Sequence, residues 1–239
     1  MKLLRQEFKF YISNEEIIFL RNSLKLFMKL DKNSNKIKKN YTITSLYFDS
    51  PNNDAFNDKV DGIYTREKFR IRKYSESEII KFESKKKIEN VISKTSKIID
   101  SDTAKNLFEN NIHLLKTKKS EFLDRSFALI KCNGLRAKNI IEYDREAYYL
   151  PYGNIRITFD LNLRTYNSNK NFFEPVKSPT PIFYDKINIL EIKYSLPLPE
   201  HLKFILKKIT ANRCAISKFV LSGKYTNFSP YQDRIVEPS

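Results

Sequence analysis

The stretch REKFRIRKY at residues 66–74 places a cation at every second position of an otherwise apolar segment. The cations are Arg66, Lys68, Arg70 and Arg72, and the residues between them include Phe69 and Ile71 as well as Glu67. Because successive residues of a β-strand point to opposite faces, the pattern predicts a strand with one basic face and one apolar face.

Two further stretches repeat this alternation. One carries Lys81, Glu83, Lys85 and Lys87, and the other carries Glu191 and Lys193. A solvated outer face normally mixes charges of both signs with Thr, Ser and Gln. A face composed mostly of Lys and Arg with isolated Glu residues is instead typical of a surface that binds a polyanion and its metal ion.

The length and charge of the chain limit the possibilities. Its 239 residues can bury one substantial core, so we predict a single domain over residues 1–239. The formal net charge of +16 predicts attraction to phosphates, nucleic acid or acidic lipid. Charge therefore indicates the sign of the partner but does not identify it.

Several classes of protein are disfavoured by composition. Cys132 and Cys214 fit no metal-ligand spacing and are too few for a disulfide framework, so we expect a reducing compartment. We find neither a signal peptide in MKLLRQEFKF nor a run of apolar residues long enough to span a membrane, and we expect a cytoplasmic protein. With only His113 and His201, a histidine metal cluster or a His-based triad is a poor interpretation.

The coarse pattern predicts more strands than helices. Strands are expected over 5–12, 41–49, 64–74, 78–88, 140–149, 155–163 and 188–194. Helices are expected from Asn14 to about residue 30 and over 101–110. Further helical stretches are expected to end near Leu129, to begin at Pro199, and to include 217–219 with an end at Gly223. Residues 116–119 and 167–181 are expected to be connections. Because each strand has one apolar and one charged face, we predict an α+β fold: a closed antiparallel β-barrel with a basic lumen and helices packed outside.

Seven segments resemble a known family. They are SLYFDSP (45–51), REKFRIRKY (66–74), FESK (82–85), EYDREAY (142–148), RITFD (156–160), LEIKY (190–194) and SKF (217–219). In this order they resemble the catalytic domain of the vacuolar transporter chaperone (VTC) polyphosphate polymerases, which belong to the triphosphate tunnel metalloenzymes. The resemblance implies a barrel whose lumen binds the triphosphate of ATP or a polyphosphate chain.

The resemblance also implies site residues. The phosphate contacts that we assign to catalysis are Arg70, Arg72, Lys85, Arg145, Arg156 and Lys218. Those that we assign to substrate binding are Lys9, Lys68, Lys94, Lys97 and Lys193. Glu191 would hold Mn²⁺ or Mg²⁺, with Glu7 and Glu83 as further metal candidates. Alternation independently places Arg70, Arg72, Lys85 and Lys193 on a charged face, but it gives no indication for Lys94.

One departure from the tunnel pattern bears on the reaction. Tunnel hydrolases commonly begin with Glu-x-Glu-x-Lys, whereas this chain has Arg5-Gln6-Glu7-Phe8-Lys9, so an arginine replaces the first carboxylate. A second metal that could activate water is then disfavoured, which favours transfer to a phosphate acceptor over hydrolysis. We expect transfer of the γ-phosphate of ATP onto a growing polyphosphate chain, with release of ADP.

Two alternatives remain open at this point. The first is a metal-dependent phosphohydrolase that cleaves tripolyphosphate or a nucleoside triphosphate. The second is a non-catalytic binder of polyphosphate or nucleic acid, although no helix-turn-helix or zinc-finger spacing supports nucleic acid. We therefore expect ATP and polyphosphate as partners and no nucleic acid. A membrane-protein partner and the oligomeric state are left undecided by the sequence.

Overall fold

The computed structural model describes residues 5–31, 33–35, 37–89, 91–114, 120–166, 172–173, 179–183 and 187–225. Its strands are β1 Gln6–Ile12, β2 Lys29–Leu30, β3 Tyr41–Asp49, β4 Thr65–Tyr74, β5 Ser77–Ile88, β6 Val91–Ile99, β7 Arg136–Leu150, β8 Ile155–Tyr166, β9 Thr180–Pro181 and β10 Asn188–Tyr194. Its α-helices are α1 Asn14–Leu24, α2 Asp54–Val60, α3 Ser101–Phe108, α4 Glu121–Cys132, α5 Glu200–Leu206 and α6 Lys218–Tyr225.

The strands follow the order β1-β10-β8-β7-β3-β4-β5-β6, with β2 on β7 and β9 on β8. The ladders β1–β10, β10–β8, β4–β5 and β5–β6 are antiparallel. The chain forms two compact units. The first comprises Met1–Ile43, Tyr143–Leu163 and Pro181–Ser217, and the second comprises Thr44–Glu142, Arg164–Thr180 and Lys218–Ser239.

In the first unit, helices cover the apolar face of β1, β10 and β8. Helix α1 begins with a capping box in which the Ser13 hydroxyl accepts from the backbone N–H of Glu16, whose carboxylate accepts from the Ser13 N–H. Its buried face packs with α5 in a core that includes Leu20, Leu24, Ile157, Phe159, Leu190, Ile192 and Leu202. The capped helix and the strand alternation therefore act together to direct the charged side chains to the opposite face.

In the second unit, α3 and α4 cover the apolar face of β4 and β5. The rings of Phe69 and Phe82 stack at 5.9 Å, and the surrounding core includes Ile71, Ala104, Leu107, Leu123, Phe127 and Ile130. Helices α2 and α6 contact each other. There Gly223 leaves room for the Phe56 ring, since a Cβ at this position would lie 2.7 Å from it. The carboxylate of Asp49 caps α2 by accepting from the N–H groups of Ala55 and Phe56.

The prediction of an antiparallel sheet with helices is confirmed, but the prediction that the sheet closes into a barrel is wrong. The first unit has β1 as an end strand and the second has β6, so the described strand order is open. Every β6 residue before Ile99 is exposed, as expected for a strand at the end of the sheet. A side chain of helix α6 also reaches the charged face, since Phe219 contacts Tyr47 and Lys68.

Several element boundaries also differ from the expectations. Helix α1 is capped by Ser13 instead of Asn14 and ends at Leu24, after which a turn leads to β2. The last helix continues past Gly223 to Tyr225. Strand β6 was not expected at all. Residues 116–119 and most of 167–181 lie outside the described residues, so their interpretation as connections stays a prediction.

Candidate functional site

The second unit carries a strongly basic sheet face on β4, β5 and β6. The register pairs Arg70 with Glu83 and Lys85 with both Lys68 and Lys94. Directly opposite residues of antiparallel strands share a face. On these three strands, this face therefore has Glu83 as its single carboxylate, among the cations Arg66, Lys68, Arg70, Arg72, Lys81, Lys85, Lys87 and Lys94. We call this surface the β4–β6 cationic face.

Glu83 lies at the centre of an ion-pair network. Its Oε2 is 2.7 Å from Arg70 Nη2 and 3.7 Å from Arg72 Nη1, and its Oε1 is 2.7 Å from Lys94 Nζ. Burial alone would raise the pKa of Glu83, but Arg70, Arg72 and Lys94 lower it to about 2. The carboxylate thus stays ionised and fixes two guanidinium groups in position.

Aromatic side chains support the same face. Arg70 Nη1 donates a 2.9 Å hydrogen bond to the Tyr47 hydroxyl. The Tyr47 ring packs at 5.0 Å from Phe219, and Lys68 Nζ lies 4.6 Å from the centre of the Phe219 ring. Burial would raise the pKa of Tyr47, but Arg70, Arg72 and Lys218 outweigh it and lower the pKa. Lys218, the first residue of α6, therefore adds to the positive potential of this face.

Lys68 shows how far positive charge exceeds negative charge here. Burial, followed by the nearby charges of Lys59 and Arg66, lowers its pKa to about 7. The only acidic group among the main influences is Asp49, which acts in the opposite direction. An ammonium group in such surroundings gains strongly from an added anion.

The structure separates Lys94 from Lys97. Lys94 lies opposite Lys85 and reaches Glu83, so it belongs to the β4–β6 cationic face. Lys97 lies opposite Phe82, on the other side of the strands, and is exposed. The two lysines were predicted together as substrate contacts, but the structure brings only Lys94 together with the arginines of this unit.

The first unit carries a second charged cluster, on β1, β8 and β10. The register aligns Glu7, Lys193 and Arg156 in one row across the three strands. The next row contains Lys9, Glu191 and Thr158. All these positions have the parity opposite to the apolar core residues of the same strands, so they share the charged face.

Two lysines and two glutamates alternate in this cluster. Lys9 Nζ is 2.9 Å from Glu7 Oε1 and 3.6 Å from Glu191 Oε1. Lys193 Nζ is 2.9 Å from Glu191 Oε2 and 3.7 Å from Glu7 Oε2. Burial would lower the pKa of Lys9, but Glu191 and Glu7 raise it overall, whereas burial lowers the pKa of Lys193 in spite of the same carboxylates.

Both arginines of this cluster are held by carboxylates. Arg145 Nε and Nη2 donate to Asp160 Oδ1 and Oδ2 at 2.6 and 2.8 Å, and Nη2 lies 3.7 Å from Glu191 Oε2. Burial opposes the charge of Arg145, but Asp160 raises its pKa well above the ordinary value. Arg156 Nη2 is 2.5 Å from Asp31 Oδ2 and donates to the Tyr41 hydroxyl at 3.1 Å. The two bonds to Asp160 therefore fix the guanidinium plane of Arg145 before any ligand arrives, whereas Arg156 is held through Nη2 alone.

Asp160, Asp31 and Tyr41 are the residues that the sequence did not assign to the site. Asp160 is fully buried, and the sequence places it inside the predicted strand 155–163 without a role in the site. Its parity with Arg156 and Thr158 in β8 could have placed it on the charged face. No comparable signal exists for Asp31, because its partner Arg156 is 125 positions away and Asp31 itself lies outside any strand.

The three predicted metal ligands differ in their surroundings. Glu7 and Glu191 converge on the same two ammonium groups, so their oxygens face a common position that now holds lysine cations. Carboxylate oxygens suit Mg²⁺ or Mn²⁺, and this pair fits such an ion if phosphate oxygens complete the coordination. Glu83 has both oxygens bound by Arg70 and Lys94. Over the described ranges, no three His, Cys, Asp or Glu side chains are grouped as metal ligands.

The sequence profile of the VTC domain matches residues 4–227. The chain belongs to the VTC domain family. The match covers both units, and it confirms the family resemblance that the seven sequence segments indicated. No curated protein matches the chain.

Solved structures similar to this VTC domain are distant in sequence. A candidate adenylate cyclase from Bacillus halodurans has a TM-score of 0.53 at 15% identity, with 89% of this chain and 95% of that one covered. A candidate adenylyl cyclase from Hippeastrum, described as having a dominant triphosphatase activity, has a TM-score of 0.51 at 16% identity, with 91% and 94% covered. These similarities show a shared fold. In the described part of the chain, no helix has the length and apolar character needed to cross a membrane.

Proposed function

We propose that this VTC domain transfers the γ-phosphate of ATP onto a growing polyphosphate chain and releases ADP. Membership of the VTC family supports phosphate chemistry. The observation that carries the proposal is the β4–β6 cationic face, where many Lys and Arg side chains surround the single carboxylate Glu83. A linear polyphosphate, with a negative charge on every phosphate, supplies the counter-charge that this face lacks.

The arginines of this face suit phosphate geometry. Arg70 and Arg72 keep their guanidinium groups in place through Glu83, and Arg70 through the Tyr47 hydroxyl as well. A guanidinium can bind two phosphate oxygens at once, whereas an ammonium supplies a less directional charge. We therefore assign Arg70 and Arg72 to orient the phosphate chain, and Lys68, Lys85, Lys94 and Lys218 to neutralise it.

Arg145 and Arg156 supply a second set of oriented donors. Asp160 binds Arg145 through two hydrogen bonds, and Asp31 and Tyr41 contact Arg156, so both groups are already near anionic or polar partners before a phosphate binds. Phosphoryl transfer depends mainly on positioning and charge neutralisation, and it needs no nucleophile from the protein. Arg145 and Arg156 are therefore proposed to stabilise charge on the transferred group, with Lys9 and Lys193 as neighbouring phosphate contacts.

Glu191 and Glu7 are the residues proposed to hold the divalent cation, Mn²⁺ or Mg²⁺. When bound, such an ion would neutralise phosphate oxygens and orient them. Phosphates that bind Lys9 and Lys193 would compete with the present ion pairs and leave carboxylate oxygens available. Glu83 is better explained as the anion that fixes Arg70 and Lys94.

Hydrolysis of a triphosphate is the competing reaction. The Hippeastrum protein of shared fold, with its stated triphosphatase activity, favours it. Against it stands Arg5, which replaces the first carboxylate of the hydrolase pattern and leaves fewer ligands for a metal that could activate water. We propose ATP and polyphosphate as the partners and the cytoplasm as the location.

The test is ³¹P NMR of the purified protein incubated with ATP and Mn²⁺ or Mg²⁺. We expect internal phosphoanhydride signals to grow as ADP forms, and Glu191→Ala to abolish this growth. Orthophosphate without chain growth would show a hydrolase instead. Absence of turnover together with tight binding of polyphosphate would show a binding module, and either result would overturn the proposal.

A further inference from the structure

Three large apolar side chains are exposed together in the first unit, away from its charged sheet face. Leu26 and Phe27 lie in the turn after α1, and Phe204 lies on α5; their exposed fractions are 71%, 45% and 65%. They line one shallow depression with His201, whose ring is 4.6 Å from that of Phe27. We call Leu26, Phe27 and Phe204 the α1/α5 patch.

The patch is bordered by positive charge. Lys25 precedes Leu26, and Lys207 and Lys208 follow the end of α5; all three are exposed. Lys208 Nζ lies 5.2 Å from the centre of the Phe204 ring, so apolar and cationic groups are in direct contact. The acidic residue of the depression, Glu200, forms an exposed ion pair with Lys203 at 2.7 Å.

We propose that the α1/α5 patch docks onto a membrane surface rich in anionic lipids. Exposed Phe and Leu side chains bordered by lysine are typical of segments that lie in the headgroup region, with the apolar groups reaching the acyl boundary. The lysines gain from the negative surface potential of anionic lipid. A second copy of the chain is a poorer occupant, because a self-complementary contact would bring the same lysines together.

Insertion can be followed by a single fluorophore, because the chain contains no tryptophan. In Phe204→Trp the reporter replaces an exposed aromatic residue of the patch. We expect its emission to shift to shorter wavelength on vesicles containing phosphatidylserine, and to be quenched when the acyl chains are brominated. Vesicles of phosphatidylcholine alone should produce little change. The matched control is Tyr64→Trp, a position 73% exposed in the second unit, whose emission should stay constant.

Charge variants separate docking from general adsorption of a protein with net charge +16. Lys207→Gln with Lys208→Gln should weaken vesicle binding about tenfold or more. The same double change at Lys105 and Lys131, exposed residues of α3 and α4, should leave the emission of the Phe204→Trp reporter and the affinity nearly unchanged. Leu26→Ser should reduce insertion while turnover of ATP stays at the wild-type level, so the result is independent of the proposed reaction.

Four outcomes would overturn the proposal. These are no emission change on anionic vesicles, equal changes at positions 204 and 64, vesicle binding that is insensitive to the Lys207 and Lys208 changes, and a concentration-dependent emission shift without vesicles. The last result would identify the patch as a contact between copies of the chain.

Discussion

The two charged clusters differ in how their cations are balanced. In the first unit, Lys9, Lys193, Arg145 and Arg156 each contact a carboxylate, and Glu7, Asp31, Asp160 and Glu191 supply those carboxylates. In the second unit, the β4–β6 cationic face has Glu83 alone. Both clusters arise from the same alternation of charged and apolar residues along strands. The alternation alone therefore does not determine whether the charges on a face are balanced.

The difference separates two tasks. A balanced cluster holds its side chains in fixed positions without a ligand, which suits the orientation of a reacting group. An unbalanced face stores electrostatic repulsion that an anion relieves, which suits the binding of a highly charged chain. The nearby charges of two half-buried lysines illustrate this: Glu191 and Glu7 raise the pKa of Lys9 against the effect of burial, whereas burial, Lys59 and Arg66 together lower the pKa of Lys68 to about 7.

The largest expected effect comes from removing the one carboxylate of the unbalanced face. Glu83→Gln leaves Arg70, Arg72 and Lys94 close together without their counter-ion, so we expect the free energy of unfolding in urea to fall by about 3 kcal/mol. Glu67→Gln on the opposite face, where Glu67 pairs with the exposed Arg125, should cost at most about 1 kcal/mol. Equal costs for the two variants would show that the face is not held by Glu83.

The balanced cluster can be tested at the anchor of Arg145. Asp160→Asn removes the bidentate partner, so we expect kcat for the proposed transfer to fall about tenfold to a hundredfold because Arg145 loses its orientation. Asp144→Asn is the control, since Asp144 precedes Arg145 and accepts from Thr42 and Asn162 instead. The measurement is initial rates at saturating ATP for both variants, and similar rates would contradict a positioning role for Asp160.

The lowered pKa of Lys68 predicts a pH effect on ligand binding. Above about pH 7 Lys68 in the free protein is neutral, and a bound phosphate chain favours its charged form, so the affinity for tripolyphosphate should fall as the pH rises. The slope from this group is at most about tenfold per pH unit. Isothermal titration at pH 7 and 9 should show a smaller decline for Lys68→Arg, which stays charged. Identical declines would show that groups of the protein other than Lys68 set the slope.

The same group predicts a trend in stability. Between pH 7 and 10.5 the unfolded chain binds a proton at Lys68 that the folded protein does not, so the contribution of this residue to stability rises with pH across that window. Urea unfolding of Lys68→Met should lack this rise. If the two proteins show the same pH profile, Lys68 is not desolvated in the folded state.

Strand alternation was sufficient to predict much of the site. It placed Arg70, Arg72, Lys85 and Lys193 on charged faces, and the ladders confirm their common sides. It failed for β6, because the segment VISKTSKII at 91–99 has apolar residues only at its two ends and therefore no alternation. Only the pairing of β6 with β5 reveals that Lys94 faces Lys85 while Lys97 faces Phe82. The register of a ladder depends on both strands, so the sequence of one strand alone does not determine it.

The partners of the arginines were also beyond sequence reasoning. A buried carboxylate usually neutralises a cation, but the sequence does not show which cation that is. Asp31 and Arg156 are far apart in the sequence and are neighbours only in the folded chain. The closed barrel was an inference from the number of strands with two-faced patterns, but closure requires a ladder between end strands, which such patterns do not specify. Long-range pairing thus accounts for most of the differences between expectation and structure.

The most direct test of the β4–β6 cationic face as the polyphosphate site compares two lysines three residues apart. We would titrate linear tripolyphosphate into Lys94→Gln and Lys97→Gln by calorimetry, with the wild-type protein as reference. Because Lys94 lies on the face and Lys97 on the opposite side, we predict that the first change weakens binding about fivefold to tenfold and the second less than about twofold. Equal losses, or a larger loss for Lys97→Gln, would contradict the assignment of this face to polyphosphate.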